Sequence, residues 1–127
     1  MRAPVSLEGL SVLIVEDNFL LAEVTKGLLE ESGCRVVGPV GRLECGLRLA
    51  QDEQLDGALL DINLHGEYSF AIAEVLRQRG VPFMFVTGYE DLNIVPSSLR
   101  SATRLDKPVP DDQLIDALDD VSLSLEQ

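Results

Sequence analysis

Three carboxylates, a hydroxyl and an ammonium recur in this chain at one place relative to short apolar runs. Glu16 and Asp17 follow the run 11–15, Asp61 follows 57–60, Thr87 closes 82–86, and Lys107-Pro108 comes after the brief run 104–105. Crowded carboxylates raise one another's pKa and repel, so a fold tolerates such a cluster where a cation is expected. Mg2+ suits it, because it takes oxygen ligands and keeps several waters. Lys107 adds one positive charge, and a phosphoryl group would find both the metal and the ammonium placed to hold its oxygens. Asp61 is the best nucleophile, since a carboxylate can accept a phosphoryl group as an acyl phosphate. The chain's one histidine, His65, lies four residues past Asp61 and reads as a solvent-facing loop residue. It leaves a transition-metal site undersupplied. Each residue alone has an ordinary reading, Glu16 as a strand end and Lys107 as a surface lysine. At the ends of successive strands, the set does not.

The elements that must position these residues alternate between apolar runs and helical stripes, the pattern of repeated βα units. Asn18 is placed as an N-cap, after which Leu21, Val24 and Leu28 recur at helical spacing until Ser32-Gly33 stops them. The run 35–40 forms a second strand, and Pro39 puts it at a sheet edge. A helix carrying Leu43, Leu47 and Ala50 precedes the strand that ends at Asp61. The loop 63–66 then leads to a helix with Ile72, Val75 and Leu76 on one face. Pro96 makes the stretch 89–101 a short or irregular fourth helix. The last helix spans about 111–125, with Asp111 and Asp112 at its positive end and Leu114, Leu118, Val121 and Leu125 as its stripe.

Strands that read as unbroken apolar runs are buried on both faces, and right-handed crossovers put helices on both sides of a parallel sheet. The expected fold is therefore α/β: a flavodoxin-like, doubly wound, five-stranded parallel sheet in order 2-1-3-4-5, with ligands bound outside the carboxyl ends of the strands. Residues 1–127 read as one domain with a core over about 9–125.

With 46% hydrophobic and 25% charged residues the composition is that of a globular protein, and a net charge of -12 weighs against direct nucleic-acid binding. Cys34 and Cys45 lack metal-type spacing and read as small reduced hydrophobes. With no secretory leader and no long apolar span, the expectation is a cytoplasmic protein that does not enter membranes.

Glu16-Asp17, Asp61, Thr87 and Lys107-Pro108, in that order, with Gly66 after the acceptor loop, resemble the receiver domain of two-component response regulators over nearly the whole chain. The resemblance implies that Asp61 takes a phosphoryl group from a phosphohistidine on a sensor histidine kinase or a histidine phosphotransfer protein. It implies Mg2+ held by Asp17, Asp61 and the backbone carbonyl of Asn63, with Glu16 assisting through water. Lys107 would pair with a phosphoryl oxygen, and its bond to Pro108 is expected cis. Thr87 would hydrogen-bond the phosphoryl group and carry the signal to a downstream protein through the face of the fourth helix, last strand and last helix. The chain departs from the family at Arg104, where a switch aromatic is usual. The run 85–89 instead looks like the FAT GUY subgroup of receivers, often single-domain, although Val86 and Glu90 loosen that match. Tyr89 is then the candidate substitute for the missing aromatic.

The implied role is a phosphorylatable carrier rather than a turnover enzyme, acting as a stand-alone relay, phosphate sink or adaptor. Two other readings remain: a degenerate receiver that only binds partners, and a phosphatase of the haloacid dehalogenase type. The second would carry an Asp-x-Asp run near its start, whereas Asp61-Ile62-Asn63 is mid-chain. A flavin-binding domain of the same topology would meet repulsion between Glu16-Asp17 and the phosphate.

Overall fold

The computed structural model describes residues 7–88 and 94–125, apart from the side chains of Thr87 and 119–125. Its main sheet contains β1 (Ser11–Val15), β2 (Arg35–Val40), β3 (Gly57–Asp61), β6 (Phe83–Thr87) and β7 (Thr103–Asp106), all parallel. Their order is β2-β1-β3-β6-β7. With β4 and β5 set aside this is the expected 2-1-3-4-5, the flavodoxin-like arrangement. A small antiparallel hairpin, β4 (Asn63–Leu64) and β5 (Glu67–Tyr68), occupies what the sequence suggested was a plain loop.

The strands lack alternation because both faces of the sheet are covered. Every residue of β3 is buried. Leu13, Val15, Leu60 and Phe85 face one core with Ala50 of α2 (Leu43–Asp52) and Ile72 and Leu76 of α3 (Phe70–Arg79). Val12, Ile14, Leu59 and Met84 face another with Leu29 of α1 (Phe19–Glu31) and Leu114 and Leu118 of α4 (Asp111–Leu125). Cys34 sits in this second core, its Sγ donating to the Leu7 carbonyl at 3.6 Å, and burial pushes its thiol pKa up. Cys45 is half-buried, and neither cysteine is in a disulfide.

Local chemistry explains the boundaries. The Asn18 side chain accepts the N–H of Leu21 at 3.1 Å and caps α1. α3 ends at Gly80, whose φ of 73° lies in the left-handed region. Pro39 falls in β2, an outer strand, where its missing donor breaks no internal ladder. Of the stretch 89–101, expected to hold a short or irregular fourth helix, residues 89–93 lie outside the described residues, and Ser97–Leu99 forms a 3-10 turn. Leu99 of that turn is buried against the first core.

The stripe expected for α1 is rotated. Ala22 and Leu29 are its buried residues, while Leu21 and Val24 are exposed beside Phe19 and Leu20. Phe19, Leu20 and Leu21 all lie on the outward side, so the buried stripe runs through Ala22 and Leu29 instead. No described helix is long and apolar enough to cross a membrane.

Candidate functional site

Strand register brings the reactive residues together. Val15 lies beside Leu60, Asp61 beside Val86 and Thr87 beside Asp106, so the residues following or ending these strands emerge at one edge of the sheet. The N–H of Glu16 donates to the Val40 carbonyl at 2.8 Å, holding the acidic pair against the end of β2. Gly41 lets that approach occur: a Cβ there would stand 3.2 Å from both Asp17 Cα and the Glu16 carbonyl oxygen.

Oxygens of Glu16, Asp17 and Asp61 all lie within 4.8 Å of one another. Lys107 Nζ stands 2.7 Å from Glu16 Oε1 and 3.1 Å from Asp61 Oδ2. Asp61 is only 6% exposed. Burial, then the neighbouring Glu16, push its pKa up to about 8 against the pull of Lys107. The ammonium at 3.1 Å alone would argue for a lowered value, but loss of water around a buried carboxylate outweighs one ion pair. For Asp17 burial acts upward too, yet hydrogen bonding from Asp61, Glu16 and the His65 N–H leaves it lowered. Burial disfavours the Lys107 charge, and its two carboxylate partners more than restore it, so its pKa is raised.

The arrangement matches a hard divalent cation: three carboxylates supply oxygen donors and one ammonium leaves net negative charge. A cation there would draw Asp61 back toward its ionised, nucleophilic form.

Other candidates fall at varied distances from this cluster. Asn63 opens β4, two residues after Asp61, and its Oδ1 accepts the Gly66 N–H at 2.7 Å. Thr87 ends β6 next to Asp106, the neighbour of Lys107. The Lys107-Pro108 peptide is cis, as is Gly38-Pro39. Arg104 is exposed on β7 opposite Phe85. Tyr89 lies outside the described residues. His65, read as a solvent-facing loop residue, has an exposed ring but touches the site: its N–H donates to Asp17 Oδ2 at 3.1 Å. Its φ of 51° shows why, since the left-handed turn aims the amide back at Asp17. Gly41 carried no signal in the sequence that marked it as a neighbour of the pair.

Beside the cluster opens a cavity of about 450 Å³ between α1 and the start of α4. Glu16, Asp61 and Lys107 line one part of it, and Leu21, Val24 and Leu114 another.

Several known proteins resemble the chain in sequence or in fold. The chain is 29% identical over 112 residues to the sensor protein TorS of Escherichia coli, a match covering 84% of this chain and 12% of TorS. The solution structure of SdrG from Sphingomonas melonis is 34% identical, with a TM-score of 0.76, and is covered over its entire chain by 97% of this one. A CheY-like response regulator receiver from Methanospirillum hungatei has a TM-score of 0.84 at 28% identity, covering 94% of this chain and 98% of that one. Residues 12–119 match the family model of the response regulator receiver domain, and the chain belongs to that family of two-component signalling domains.

Proposed function

We propose that the chain accepts a phosphoryl group on Asp61 from a phosphohistidine, with Mg2+, and passes the change on through protein contacts. One observation carries this reading: a carboxylate only 6% exposed has an ammonium at 3.1 Å and oxygens of two further acids within 4.8 Å. Asp17, Asp61 and the Asn63 carbonyl would hold the cation, with Glu16 acting through water. When bound, the cation neutralises the acids and the oxygens of the incoming phosphoryl group. Asp61 attacks phosphorus as the P–N bond to the donor imidazole breaks, and the imidazole leaves with its electron pair and takes a proton. Lys107 would hold a phosphoryl oxygen throughout, and Thr87, at the end of β6, would do so afterwards.

The donor is a sensor histidine kinase or histidine phosphotransfer protein. The exposed Phe19, Leu20 and Val24 and the adjoining cavity offer such a protein an apolar landing surface next to Asp61. Output runs through the 3-10 segment, β7 and α4, as relay, sink or adaptor, in the cytoplasm where free thiols persist. The match over the whole of the SdrG chain supports a receiver that works as a unit. The protein is a carrier and turns over no small phosphoester.

Incubation with a phosphohistidine donor or acetyl phosphate and Mg2+ tests this. An acid-stable, base-labile phosphoryl group at one equivalent is expected. Sustained release of phosphate from unrelated phosphoesters, without a labelled protein, would overturn it.

A further inference from the structure

The hairpin β4–β5 is tied to the acidic site through its turn. The His65 N–H donates to Asp17 Oδ2 at 3.1 Å, and His65 Nδ1 stands 3.6 Å from the same oxygen. The next amide, that of Gly66, donates to Asn63 Oδ1 at 2.7 Å and closes the turn on the strand that follows Asp61. On the other side of the hairpin, Tyr68 pairs with Asn63. Tyr68 is 44% exposed, and its ring stacks on Phe70 at 5.4 Å between centroids and 19° between planes. Phe70 meets Phe85 edge-on at 6.0 Å, and Phe85 is fully buried in β6 two residues before Thr87. One path of direct contacts therefore runs from Asp17, through the turn, to a surface tyrosine and back to the switch strand.

We propose that this hairpin reads the state of the site: occupancy at Asp17 and Asp61 moves the turn and, with it, Tyr68. The inference rests on reading the site as a cation-dependent phosphoacceptor. A cation engaging the Asp17 carboxylate competes with the His65 amide for the same electron density, so the N–H···O bond weakens or rotates. A ladder two residues long has little stability of its own and follows its anchor. The rings pass the movement on because stacked and edge-on contacts favour discrete geometries, and packed interiors switch rather than deform smoothly. The route supplies an aromatic reporter to a chain that has Arg104 where its family carries one. Coupling of this kind is reciprocal, so a protein that grips Tyr68 in its shifted position tightens cation binding.

The chain has two tyrosines and no tryptophan, so 3-fluorotyrosine labelling gives two 19F resonances, and Tyr89→Phe assigns the one from Tyr68. Mg2+ and then beryllofluoride, an aspartyl-phosphate mimic, are titrated in while occupancy is followed independently by the rise in Tm. The Tyr68 resonance should move with a Mg2+ midpoint equal to the Kd fitted from the rise of Tm with Mg2+ concentration, and Tyr68→Leu should shift that fitted Kd about twofold or more. A Tm that rises while the Tyr68 resonance stays within its linewidth overturns the proposal. A Tm that responds to neither ligand overturns the phosphoacceptor reading beneath it.

Discussion

Lys107 holds Glu16 more closely than it holds Asp61, at 2.7 Å against 3.1 Å. The second oxygen of Glu16 accepts the Asn18 N–H at 3.1 Å, so both are engaged. Glu16 thus tethers the ammonium that faces the acceptor, and it is also a charge that raises the acceptor's pKa. Those two effects can be separated by substitution.

Glu16→Gln should lower the pKa of Asp61 from about 8, because it removes the nearest like charge while Lys107 stays. Carboxyl NMR titration reads this directly. Lys107→Met should do the reverse. At neutral pH in EDTA Lys107→Met should lower stability chiefly because Glu16 loses its cation at 2.7 Å, while Asp61 stays protonated; urea unfolding reads this.

Asp61→Ala should abolish labelling by acetyl phosphate while leaving the circular dichroism spectrum unchanged. Labelling that persists in the folded variant would assign the acceptor to another residue.

A folded-state pKa near 8 for Asp61, against 3.8 for the ordinary carboxylate, fixes a sign for stability. The group's contribution is fully present below about pH 3.8 and is lost as pH rises toward 8, because the unfolded chain gives up this proton first. Between pH 5 and 8 in EDTA, wild type should lose up to about 4 kcal/mol relative to Asp61→Asn, at about 1.4 kcal/mol per pH unit. Saturating Mg2+ should flatten the difference. Parallel pH profiles for the two proteins in EDTA would refute the raised value.

Asp17→Asn removes a proposed ligand and one of three crowded charges. It should weaken Mg2+ binding at least tenfold and slow phosphorylation, and in EDTA it should raise Tm by relieving repulsion. Unchanged Mg2+-dependent stabilisation in the variant would exclude Asp17 from the cation site.

Gly46 is where α2 presses on α3. A Cβ at this position would stand 2.5 Å from Ile72 Cδ1 and 3.4 Å from Val15 Cγ2. Gly46→Ala should cost about 1–3 kcal/mol through overpacking, with Mg2+ affinity intact. Full wild-type stability would show that Ile72 has room to move aside.

The sheet was legible because strands covered on both faces show as apolar runs, and β1 and β3 are such strands. The acids and the lysine were legible because each ends or directly follows a strand, and parallel register aligns those ends. The rotation of α1 was not, because large apolar residues at 19–21 and 24 outweigh the small Ala22 in a hydrophobic pattern, although Ala22 and Leu29 are the ones buried. The hairpin was hidden for two reasons. Strands of two residues carry no periodicity, and His65 marks a left-handed turn less plainly than the Asn or Gly usual at that position of a tight hairpin. The contact of His65 with Asp17 followed from that turn and was hidden with it.

The two rims of the sheet carry a consequence for crowded conditions. On one, β2 has Pro39, which offers no donor, and Gly38 at a φ of 94°, where the pairing with β1 slips out of register. On the other, β7 exposes Thr103, Arg104 and Asp106. Unpaired strand edges invite fibrillar self-association, and a missing donor, an irregular rim and charged side chains all discourage it. Many copies of the molecule gathered at one place should therefore stay separate instead of growing into shared sheets.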